Sequence, residues 1–116
     1  MSRKIALFAF NGELMCFVHV LLNALEMKEK GYEVILIIEG TATGKIDELS
    51  IPENPFAGLF AKVKNAGIID CVCKACSSKM GTLDNAQSQN LPLCNEMSGH
   101  PSISRYMDER YEVLVF

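Results

Sequence analysis

Three of the chain's five cysteines crowd one short stretch, Asp70-Cys71-Val72-Cys73-Lys74-Ala75-Cys76-Ser77-Ser78-Lys79-Met80-Gly81. It begins as an apolar, strand-like run and turns into a basic, small-residue segment. In open α/β folds that junction is where ligands and reacting groups gather. Cys73 and Cys76 have the Cys-x-x-Cys spacing used in dithiol–disulfide exchange, although Lys74-Ala75 stand between them where thioredoxin-like proteins carry proline. If a helix starts near Lys74, Cys76 lies in its first turn, where unpaired amides and the helix dipole favour a thiolate. Lys74 and Lys79 add positive charge beside it. The thiolate is the nucleophile in sulfur transfer and exchange, so Cys73 and Cys76 are the expected catalytic pair. Cys71 points to the same side of a strand as Cys73 and is expected to pack as a small apolar side chain. The same is expected of Cys16, while Cys94 fits either role.

Metal binding is the competing chemistry. Cys73, Cys76, Cys94 and His100 make a four-ligand set whose first pair has the knuckle spacing of zinc sites. The second pair is looser, with five residues between its members. Structural zinc usually serves domains that lack a core, so the expectation is no cofactor, with zinc the alternative. His100, ahead of Pro101, is a candidate proton partner for a thiol. His19 belongs to a polar helix stripe and is expected to be solvated. Asn11 and Gly12 are expected to shape the rim of the site. No G-x-G-x-x-G or P-loop pattern occurs, so nothing supports nucleotide binding.

The composition is that of one compact domain spanning residues 1–116. Hydrophobic residues make up 49% and charged residues 22% of the chain, enough to bury a core without disulfides. Eleven basic residues stand against 14 acidic, a net charge of −3. With no basic cluster interleaved with aromatics, neither nucleic acid nor a membrane surface is an expected partner. The apolar run Ile5–Phe10 is short for a secretory core, and Leu14–Leu25 is interrupted by His19 and Asn23 and too short to cross a bilayer. A cytoplasmic location is expected. In such a reducing compartment cysteines are free, catalytic or metal-bound more often than paired, and an odd number cannot pair off completely.

Residues 4–10 form a nearly continuous apolar run, the pattern of a strand buried on both faces. A helix is predicted over 14–30, with His19, Asn23, Glu26 and Lys30 along one polar stripe and Gly31 as its left-handed cap. Residues 33–38 read as a second strand and 39–44 as loop, with a short helical turn at 45–49. Asn54-Pro55 reads as a helix start, followed by Phe56, Leu59, Phe60 and Val63 as an apolar stripe ending at Gly67. A third strand is predicted over 68–73, a helix capped by Thr82 over 83–89, and a short strand at 91–94. Ser98-Gly99-His100-Pro101 opens another helix, and 111–116 form the last strand. Strict alternation of strand and helix predicts a layered α/β fold with a mostly parallel sheet. The loops 11–13, 39–41, 73–81 and 94–100 would then share the rim at the carboxyl ends of the strands.

The third strand ending at Cys73, the stretch from Val72-Cys73-Lys74-Ala75 to Lys79-Met80-Gly81, and the opening Ile5-Ala-Leu-Phe-Ala-Phe-Asn-Gly together resemble the DsrE/DsrF-like proteins. The resemblance covers essentially the whole chain and is most specific at the cysteines. It implies a flavodoxin-like three-layer α/β/α fold around a mainly parallel five-stranded sheet, and assembly into homo-oligomers. It also implies a sulfur carrier or sulfurtransferase that holds sulfane sulfur as a persulfide on Cys73 and exchanges it with donor and acceptor proteins. Cys71 and Cys76 depart from the simple pattern. A second thiol three residues on could attack a persulfide and release sulfide. Three readings therefore stand: a sulfur carrier, a dithiol redox protein, and a zinc-binding or structural module built on Cys73, Cys76 and Cys94. Self-association is expected through Phe56 and Phe60 or through the C-terminal edge strand.

Overall fold

The second strand shows how directly this fold follows from its residues. After its charged first residue, Glu33-Val-Ile-Leu-Ile-Ile is apolar and mostly β-branched, which suits a strand covered on both faces, and the computed structural model places β2 at Glu33–Ile38. The structure describes residues 3–116. The other strands are β1 (Lys4–Ala9), β3 (Ile69–Cys73), β4 (Leu93–Cys94) and β5 (Glu112–Val115). All pair in parallel, in the order β4-β3-β2-β1-β5. The helices are α1 (Leu14–Glu29), α2 (Lys45–Glu48), α3 (Ala57–Asn65), α4 (Lys74–Met80), α5 (Leu83–Ser88) and α6 (Ile103–Asp108).

The alternation of side chains along each strand divides the core in two. Ile5, Leu7, Leu36, Ile38 and Val72 face one side, where Phe17 and Leu21 of α1, Ile46 of α2, Phe60 and Val63 of α3 and Ala86 of α5 cover them. Ala6, Phe8, Ile37, Cys71 and Cys94 face the other, where the main cover is Tyr106 of α6. The Tyr106 ring stands edge-on to Phe8 with centroids 5.4 Å apart, a favoured aromatic geometry. This is the three-layer α/β/α arrangement around five parallel strands.

The differences from expectation are local. Residues 40–44 wind into a 3-10 turn. The third helix starts at Ala57, because the Asn54 side chain accepts from the Phe56 amide and holds a turn first. The last helix starts at Ile103, because Met97–His100 are spent on a tight turn. Phe60 is buried and Phe56 half-buried against the core, so they offer no exposed patch; Leu114 and Val115 on the edge strand β5 are exposed. No helix among the described residues is long and apolar enough to cross a membrane.

Candidate functional site

Cys73 is the last residue of β3 and the N-cap of α4; its sulfur accepts from the Cys76 amide at 3.4 Å. The strand therefore ends by turning its final thiol back over the first turn of the helix, next to Cys76. The Ser77 hydroxyl donates to the Cys73 carbonyl at 2.8 Å, which ties that turn to the strand.

The third member arrives from a distant loop. Between β4 and α6 the chain reverses at Met97-Ser98-Gly99-His100, with the amides of Met97 and His100 bonded to each other's carbonyls. Ser98 and Gly99 both have positive φ, at 50° and 89°, the signature of a type I′ turn. Gly99 is also pressed on α4: its carbonyl accepts from the Ala75 amide at 3.0 Å, and a Cβ there would stand 3.0 Å from Ala75 Cβ. The next residue, His100, is thereby set with Nδ1 at 3.2 Å from Cys73 Sγ and 3.6 Å from Cys76 Sγ.

The two thiols have unlike surroundings. Cys73 is fully buried. Burial foremost, then the Cys76 side chain, pushes its thiol up to about 12 against a weaker pull from the Cys76 amide. Cys76 is half-buried and lines an open cleft of about 310 Å3 with Phe10, Gly40, Thr41, Lys79, Met80 and His100. Each rim loop after β1, β2, β3 and β4 contributes to that wall. Glu39, at the end of β2, is held above the ordinary carboxylate range by burial, partly offset by the charge of His100.

Several expectations need correction. Cys73 is not a solvent-reachable thiolate, because it is sealed at the strand end and desolvated. Lys74 and Lys79 are exposed and do not offset that desolvation; Lys79 borders the cleft and Lys74 does not. Asn11 and Gly12 need no such correction: they bond to the rim from outside the cleft lining. The Asn11 side chain accepts from the Glu13 amide, and the Gly12 amide donates to Thr41 Oγ1 at 2.8 Å, which braces the neighbouring loop. Cys94 leaves the metal set, because it forms a disulfide with Cys71. That bond also overturns the expectation of unpaired cysteines: β3 and β4 are adjacent, and the two Cα atoms lie 5.4 Å apart, well within disulfide reach. His19 is exposed, as expected, and Cys16 is half-buried rather than core.

Some residues went unnoticed in the sequence. Phe10 and Met80 are exposed apolar walls of the cleft, and their positions just beyond β1 and at the end of α4 were the available signal. Tyr106 lies beneath the sheet with its hydroxyl 3.4 Å from Cys71 Sγ. It donates to Asp70 at 2.6 Å and accepts from Arg105 at 2.7 Å.

The Sγ atoms of Cys73 and Cys76 and a ring nitrogen of His100 all lie within 4.8 Å of one another. Such a group could hold a metal ion.

The chain is 36% identical over 97 residues to the uncharacterized protein MJ0733 of Methanocaldococcus jannaschii, an overlap covering 84% of this chain and 77% of that protein. It belongs to the family of that archaeal protein. Two uncharacterized proteins of Archaeoglobus fulgidus are each 51% identical over shorter stretches. One match spans 43 residues, 37% of this chain and 70% of the relative; the other spans 37 residues, 32% of this chain and all of the relative. The chain matches no protein-family model and no solved structure.

Proposed function

We propose that this protein is a DsrE/DsrF-like sulfur-handling protein whose working thiol is Cys76, with Cys73 as its resolving partner and His100 as its proton acceptor. The supporting observation is the placement of Cys76: half-exposed, on the wall of an apolar cleft, and 3.6 Å from an imidazole nitrogen that a second thiol also touches. His100 takes the Cys76 proton, and the thiolate attacks the outer sulfur of a donor persulfide. Cys76 gains that sulfur, and the donor leaves as a thiolate. An acceptor thiol can then remove the sulfur. Alternatively, Cys73 attacks Cys76 Sγ, forming the Cys73–Cys76 disulfide and releasing hydrogen sulfide; the transferred sulfur is reduced and the two cysteines are oxidised. Cys73 cannot take the first role, because an incoming donor does not reach it. Lys79 at the cleft edge suits an anionic donor. Donor and acceptor proteins, a cytoplasmic setting and self-association along β5 belong to the same reading.

The test is intact-protein mass spectrometry after incubation with a low-molecular-weight persulfide. The expected product is heavier by one sulfur atom, absent in Cys76→Ser and retained in Cys73→Ser. Loading that survives Cys76→Ser, or no loading of the wild type, overturns the reading.

A second reading has its own supporting observation. Two thiolates and an imidazole around a tetrahedral zinc ion would sit about 3.6 Å apart, and the sulfur–nitrogen distances are 3.2 and 3.6 Å. Cys73, Cys76 and His100 would be the ligands. Stoichiometric zinc in freshly purified protein, lost in His100→Ala, would select it over the sulfur-carrying reading.

A further inference from the structure

Beside the dithiol lies a second pair of sulfurs that the proposed reaction does not use. The Cys71–Cys94 disulfide is nearly sealed, with its residues 5% and 3% exposed. An external reductant protein cannot reach it. Its neighbours, however, are suited to internal exchange. Cys94 is the direct register partner of Cys73 across the parallel ladder. Facing residues on adjacent strands lie about 4.8 Å apart, within the Cα separation that a disulfide spans. Cys71 and Cys73, two apart on β3, point to the same face. Cys94 therefore has Cys73 as its facing residue across the ladder and Cys71 as its disulfide partner. Cys71 Sγ is also within 3.4 Å of the Tyr106 hydroxyl, which Arg105 and Asp70 hold in place. The hydroxyl hydrogen points at Asp70 and can turn to Cys71 as that sulfur leaves.

We propose that Cys71–Cys94 is a second, internal redox couple, and that electrons entering at Cys76 reach it through Cys73. It rests on the reading of Cys73 and Cys76 as a working dithiol. In the first exchange Cys73 gives its proton to His100 and attacks Cys94 Sγ. The Cys71–Cys94 bond breaks, and Cys71 leaves as a thiolate beside the Tyr106 hydroxyl; solvent protonates it, balancing the proton that His100 discharges. In the second, Cys76 gives its proton to His100, by then discharged to solvent, and attacks Cys73 Sγ. Cys94 is freed and protonated. The net change turns one disulfide and two thiols into two thiols and one disulfide: Cys73 and Cys76 are oxidised, Cys71 and Cys94 reduced. An external dithiol then reduces Cys73–Cys76 at the cleft, so the protein stores two electron pairs instead of one.

The test treats folded protein with dithiothreitol, quenches with an alkylating agent at intervals, and maps free Cys71 and Cys94 by peptide mass spectrometry. Opening in the wild type is expected, slowed at least about tenfold in Cys76→Ser and in Cys73→Ser. Tyr106→Phe keeps the relay thiols and removes only the hydroxyl beside Cys71; slowing of a few fold is expected there. Circular dichroism identifies any variant that fails to fold, in which case Cys73→Ala replaces it. Equal opening rates in wild type and both cysteine variants overturn the proposal, as does a Cys71–Cys94 bond that never opens in the folded wild type. The readout uses no sulfane sulfur. A chain that relays electrons but never gains a sulfur atom therefore loses the carrier reading alone, and one that gains sulfur without relaying loses the relay alone.

Discussion

Two cysteine pairs share the β3–β4 corner and have opposite fates. Cys71 and Cys94 lie under Tyr106 on the face covered by α6, joined to each other. Cys73 and Cys76 lie at the strand's end, unjoined, with one imidazole nitrogen between them and an open cleft beside the second. Residue type does not separate them, nor does sequence distance, since Cys71 and Cys73 are two positions apart. Cover does. A side chain from α6 closes over the first pair, whereas the loop that reaches the second supplies a base and leaves one sulfur accessible. Cysteine reactivity here is decided by what the other elements lay over it.

The strongest way to break that comparison is to remove the buried pair. Replacing Cys71 and Cys94 together by alanine should cost about 3 kcal/mol, the expected worth of a cross-link closing a loop of this size; their separation is 23 residues. Cys76→Ser should cost under about 0.5 kcal/mol, as half-exposed sites usually do. Urea unfolding under non-oxidising, non-reducing conditions checks both. Equal costs would mean that the buried pair is not the cross-link that holds this corner together.

A smaller effect sharpens the same contrast from the side of the loop. Gly99→Ala would place a side chain at φ 89° and 3.0 Å from Ala75 Cβ. The expected loss is about 1–2 kcal/mol of stability. The turn that sets His100 must also shift, so the alkylation rate of Cys76 should fall more than stability alone explains. An unchanged rate would show that His100 does not govern this thiol.

Much of the frame was legible in the sequence. The run Glu33–Ile38 is bounded as read, because five apolar residues after a charged start fit a doubly covered strand. The gathering of Cys73, Cys76 and His100 was legible too, since alternating strands and helices send their loops to one rim. The unequal exposure of the two thiols was not. It depends on the Ser98-Gly99 turn folding onto Ala75, a contact between residues more than twenty positions apart that no local pattern encodes. The disulfide was missed for a similar reason. Counting cysteines argued against pairing, while the adjacency of β3 and β4, which the alternation of elements alone does not fix, puts Cys71 and Cys94 within reach. No local pattern singles out Tyr106, and only its partners Asp70 and Arg105 reveal its place beside the sulfur.

The smallest predicted effect concerns protons. Burial holds the Cys73 thiol protonated up to about 12 in the folded chain, against an ordinary value of 9.0. Between those values the folded state binds the extra proton and the unfolded state does not. Stability therefore falls as pH rises through that window, and the contribution is fully present below about pH 9. Cys16, held up chiefly by its hydrogen bond to Glu13, and Tyr111, pushed up to about 12 by burial and Glu33, act in the same direction. The share belonging to Cys73 is isolated by difference. Urea midpoints measured from about pH 8 to about pH 11 should fall less steeply in Cys73→Ala than in the wild type. Alkylation gives the kinetic counterpart: Cys76 should react at neutral pH while Cys73 stays protected until the solution is strongly alkaline or the chain unfolds. Were both thiols to react together at neutral pH, the sealed strand end would not be the barrier that separates a resolving sulfur from a working one.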